Sequence, residues 1–118
     1  MFQFLRGIAL IAAIVLSCGA AFGQVSANSI MPGCRFFATS TVPNNPLDAA
    51  ATFRCGGLIE GILYGASVGG VLCVDPKMTM NQAIRVVAKY IDDRPQTQHE
   101  KFKALALEAL RAAFPCKK

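Results

Sequence analysis

Four cysteines, Cys34, Cys55, Cys73 and Cys116, constrain this chain more than any other feature. They form an even set only if a fifth, Cys18, is removed, and the N-terminus supplies the means. Arg6 precedes an unbroken apolar run from Gly7 to Leu16 (GIALIAAIVL), with no acidic residue near it. A single positive charge ahead of a short apolar run is the pattern of a secretory signal. A permanent membrane helix needs about 20 apolar residues, so this run is too short for an anchor, and the rest of the sequence offers no other span. Ala21 and Gly23 have the small side chains that a signal peptidase requires at its −3 and −1 subsites, which places cleavage after Gly23. Val15-Leu16-Ser17-Cys18 is a rival site, because it resembles a bacterial lipobox that would leave Cys18 acylated on a membrane. Cleavage after Gly23 is the reading adopted. Residues 1–23 are then a signal peptide and 24–118 one mature domain, whose four cysteines read as two disulfides in an exported chain of this size.

The alternative use of four cysteines is a metal site. No two of them form a CxxC pair, His99 is the only histidine, and the haem-attachment pattern CxxCH is absent, so neither metal nor cofactor is expected. Removing Arg6 from the chain's 12 Lys and Arg leaves 11 against 7 Asp and Glu, a mildly basic balance of +4. These cations are scattered and are not interleaved with aromatic residues, which argues against nucleic acid as a partner. They read as solvated helix faces whose summed field would help steer the domain toward an acidic partner.

Apolar spacing predicts an all-α fold of about four helices. A first short helix is expected from Met31 to Ala38, after a tail ending at Ile30, with Pro32 in its first turn. A second opens near Asp48 as N-cap and stops at Gly69-Gly70. Its apolar residues Cys55, Leu58, Ile59, Ile62, Leu63 and Ala66 share one face. Gly56, Gly57, Gly61 and Gly65 lie in the same stretch, and since each costs up to about 1 kcal/mol of helix propensity, they suggest close packing of another helix. Thr79-Met80-Asn81-Gln82 is a capping box that starts a third helix, with Met80, Ala83, Ile84, Val87 and Ile91 inward, ending near Asp93. A second box, Thr97-Gln98-His99-Glu100, is expected to open the fourth, with Phe102, Leu105, Ala106, Ala109, Leu110 and Ala113 inward and Pro115 beyond its end. No segment alternates with period two.

Four cysteines allow three pairings, and the helices choose among them. The third and fourth helices, about fourteen and sixteen residues, are each a little over 20 Å long and joined by a short link through Arg94-Pro95-Gln96. Short links favour antiparallel neighbours. Cys73, before the third helix, and Cys116, after the fourth, then lie at the same end and pair. Cys34 is left with Cys55.

Catalytic groupings are not found. His99 sits at the expected start of a helix, where it reads as a turn residue making a local hydrogen bond. Asp92 and Asp93 are adjacent, and adjacent residues on a helix point in different directions, so they read as a solvated pair. Ser26 and Ser67 lack a GxSxG context, and the glycines of the second helix do not make a phosphate-cradling loop. No enzyme is expected.

One known family has this arrangement. Pro32-Gly33-Cys34, Cys55-Gly56-Gly57 with Gly61, Cys73-Val74-Asp75-Pro76 leading to Gln82 and Arg85 through Tyr90, then Pro95, His99 and Ala109-Leu110 before Phe114-Pro115-Cys116, resemble the Rap1a/Tai family. The resemblance runs from about Met31 to Cys116. It implies a periplasmic immunity protein, often homodimeric, that blocks a peptidoglycan-cleaving amidase delivered by type VI secretion, by occlusion and without chemistry. No partner-binding residue of the family maps onto this sequence. The runner-up is a periplasmic acid-stress chaperone of the HdeA type. A pH switch of that kind needs many carboxylates, and this chain has 7.

Overall fold

The computed structural model describes residues 25–117, so the expected signal peptide and Cys18 lie outside the described residues. Among these residues there are four α-helices: α1 (Ala27–Ala38), α2 (Pro46–Val68), α3 (Met80–Asp92) and α4 (Phe102–Ala113). A single 3-10 turn, Pro95–Thr97, links α3 to α4. The core is one apolar cluster to which all four helices contribute, with Met31, Ile59, Ile84, Ile91, Phe102 and Leu110 among its largest members. All-α architecture follows from the 3.6-residue spacing, as expected.

The third helix forms as its local signals dictate. Thr79 Oγ1 accepts from the Gln82 N–H at 3.2 Å, and Gln82 Oε1 accepts from the Thr79 N–H at 2.8 Å, so both arms of the capping box close. Ala83, Ile84, Val87 and Ile91 are buried, whereas Met80, expected inward, is exposed in the first turn.

The second capping box does not form. Thr97 lies in the 3-10 turn, its hydroxyl donates to the Arg94 carbonyl at 3.0 Å, and α4 starts five residues later at Phe102. Tertiary pairing explains the difference. The Gln98 and Glu100 carbonyls accept from the N–H groups of Asn28 and Ala27, each at 2.9 Å, and the Phe102 N–H donates to Val25 at 2.9 Å. The segment that would have been the first turn of α4 thus satisfies donors that the start of α1 leaves without partners inside its own helix.

The same pairing corrects α1. Ala27 and Ile30 are buried helical residues and not a tail, so α1 begins four residues before Met31 and Pro32 falls in its interior. The α2 N-cap is Asn45, not Asp48. Asn45 Oδ1 accepts from the Asp48 N–H at 2.9 Å, Pro46 occupies the first turn, and Asp48 places its carboxylate near the positive end of the helix dipole.

Both disulfides join the pairs that helix geometry chose. Cys34–Cys55 ties α1 to α2 inside the core, with both residues fully buried. Cys73–Cys116 ties the loop after α2 to the segment after α4 at the surface, with a backbone hydrogen bond from Cys73 N–H to the Phe114 carbonyl at 3.1 Å beside it.

Candidate functional site

The residues weighed for catalysis are not gathered. His99 is exposed in the turn before α4. Asp92 is paired with Arg35 at 2.9 Å and Asp93 with Lys89 at 2.9 Å, so the two carboxylates serve separate surface ion pairs. Ser67 is exposed near the end of α2 and Ser26 lies at the start of α1, far apart in the chain and in different elements. Among the described residues no three His, Cys, Asp or Glu side chains are grouped so as to hold a metal ion, and no helix is long and apolar enough to cross a membrane.

What stands out instead is α2, which is apolar on two sides. Its inner side is the one the spacing identified: Cys55, Ile59 and Leu63 are buried, with Leu58, Ile62 and Ala66 packed against the core. Its outer side carries Phe53, Tyr64 and Val68, which are 76, 74 and 72% exposed. At about 100° per residue, Phe53, Gly57, Gly61, Tyr64 and Val68 fall within a band of about 80°, so the three large side chains and two of the glycines share one stripe.

The glycines correct the expectation of close helix packing. Among the described residues a Cβ at Gly57, Gly61 or Gly65 would meet nothing within 4 Å, and of the four only Gly56 lies near a neighbour, the Phe37 ring at 3.3 Å. The close approach is made elsewhere, by Gly33 of α1, where a Cβ would overlap the Ala51 carbonyl of α2. Beside the outer stripe a groove of about 320 Å³ runs between α2 and α4, lined by Gly61, Ile62, Gly65, Ala66, Val71 and Leu107, with Lys103 as its one charged residue.

A second exposed feature is the α1–α2 loop. Ser40 is held at φ 55°, an uncommon conformation for a side chain that is not glycine. Arg85 Nη2 donates to Ser40 Oγ at 3.0 Å and so ties the loop to α3.

Phe53, Tyr64, Val68 and Lys103 were not singled out in the sequence. The signal was present as a second helical stripe on α2, but the spacing of Cys55, Ile59 and Leu63 accounts for one buried face and gives no reason to look for another.

Among the described residues the arrangement offers apolar contact area and charge. No curated protein and no solved structure matches the chain. A family model for Rap1a immunity proteins matches residues 26–116, the whole helical domain with both disulfides. The chain therefore belongs to the Rap1a immunity protein family.

Proposed function

We propose that the protein is exported to the periplasm and there neutralises a peptidoglycan-cleaving amidase, delivered by type VI secretion, through stoichiometric binding that blocks its active site. The observation that carries this reading is the family match over residues 26–116. Family membership points to an effector protein as partner and to inhibition without catalysis. The choice of an amidase comes from the resemblance described above. Export is supported by the Arg6–Leu16 signal pattern and by two disulfides, which persist in oxidising compartments. In this reading residues 1–23 are removed and the mature domain begins at Gln24.

The test is protection. Any cell-wall amidase found encoded beside this gene is directed to the periplasm of a sensitive host, and growth is followed with and without the protein. The full chain should restore growth, a version lacking residues 1–23 should not, and the two purified proteins should form a complex of fixed stoichiometry with the amidase silent. Failure of the exported protein either to protect or to bind would overturn the proposal.

A further inference from the structure

We infer that the outer face of α2 is where the effector docks, and that the surface it receives carries an apolar side chain with a carboxylate beside it on the groove side. This rests on the immunity reading above. Phe53 and Tyr64 stand three turns apart on one stripe, and between them Gly57 and Gly61 leave the helix backbone bare. The result is a trough with aromatic ends, which a helix or loop of another protein can approach closely. Large exposed apolar side chains gathered on one face mark interaction sites in soluble proteins, and rigid aromatic side chains are the usual anchors of protein interfaces. The groove beside the trough, about 320 Å³, has the volume to take an apolar side chain.

Charge selects the occupant. Taking Gly57 as the middle of the face, Arg54 lies about 60° round the helix on the groove side and Glu60 about 60° round on the other. Lys103 stands on the groove, so that edge carries two cations, and the groove lining holds no acid. A second copy of this chain fits poorly. An antiparallel two-fold pair of α2 helices centred on Gly57 sets like edges together, with each Arg54 and each Glu60 about 9 Å along the axis from its own mate. A parallel pair leaves Arg54 and the other copy's Glu60 about 9 Å apart along the axis. An acidic partner meets the cationic edge directly, and the mature domain's balance of +4 favours its approach.

The experiment measures binding of the mature, oxidised protein to the amidase of the protection assay, by titration calorimetry. Gly61→Leu fills the trough in open space, so folding should be kept, which a urea unfolding curve checks. Affinity should fall ~100-fold or more, the size typical of blocking an interface centre. Arg54→Glu with Lys103→Glu should weaken binding ~10-fold or more and flatten its salt dependence, while Lys89→Glu on α3 should leave it unchanged. If wild type binds and the face variants bind equally well, this assignment falls while the immunity reading stands. If wild type binds no amidase, both fall. If light scattering finds a dimer that Gly61→Leu splits, the face belongs to a second copy and the proposed occupant is wrong.

Discussion

On its inner side α2 touches α1 so closely that a glycine is required, while on its outer side it carries three glycines that touch nothing. At the inner seam Gly33 lets the Ala51 carbonyl lie where a Cβ would be, and Cys34–Cys55 locks the two helices at that distance. At the outer face Gly57, Gly61 and Gly65 weaken the helix by up to about 1 kcal/mol each, and no contact within the domain offsets the loss. Glycine in a helix therefore marks close approach only where a neighbour is found. Where none is found among the described residues, the space is open to something beyond them.

The largest expected effect breaks the inner seam. Replacing Cys34 and Cys55 together by Ala removes a bond across 21 residues, about 3 kcal/mol in the chain-entropy model, and leaves a cavity in the core costing about 1–2 kcal/mol more. Replacing Cys73 and Cys116 removes a bond across 43 residues, about 4 kcal/mol at most, with little added packing loss because the bridge lies at the surface. Urea unfolding of the two double variants should rank the buried bridge as more costly, although loop length alone ranks them the other way. The reverse order would mean that burial adds nothing at Cys34–Cys55.

A smaller effect is expected one residue earlier. Gly33→Ala forces the Ala51 carbonyl away and should lower stability by about 3 kcal/mol, the upper part of the range for overpacking a core. A variant with an unchanged urea midpoint would show that the seam yields freely.

The smallest effect has the opposite sign. Gly57→Ala and Gly65→Ala should each stabilise the isolated domain by about 0.5–1 kcal/mol, because Ala is the better helix former and its Cβ enters open space. Loss of stability in either variant would mean that the outer face is already covered in solution. The comparison between the two sides of α2 would then have to be redrawn.

The parts of the fold that were legible are those whose causes are local. The Thr79 box, the Cys55-Ile59-Leu63 face and the stop at Gly69-Gly70 each depend on residues within a turn or two, and each forms as the spacing predicts. The disulfide pairing came out as expected although the link from α3 to α4 is longer than the spacing suggested, residues 93–101, because two neighbouring helices of similar length still bring the segment before one and the segment after the other to the same end. Thr97 fits the same capping rule as Thr79, yet does not cap. What separates the two is that Gln98 and Glu100 are taken up by Asn28 and Ala27, some seventy residues earlier in the chain. A local rule carries no information about such a competitor. Of the candidate site, the stripe of Phe53, Gly57, Gly61, Tyr64 and Val68 was present in the periodicity, but its meaning was not. A second apolar face on a helix reads equally well as a face buried by another helix of the same domain.

By itself, then, the sequence determined the helical class, the family, the cysteine pairs and the inner face of α2, because helix periodicity, caps and the order of neighbouring helices act over distances that the chain order already sets. Only the tertiary structure decided where α1 and α4 begin, which glycine stands at a contact and which stand in the open. Those outcomes depend on which distant backbone groups and surfaces arrive to claim a partner, and that is known only once the chain has packed.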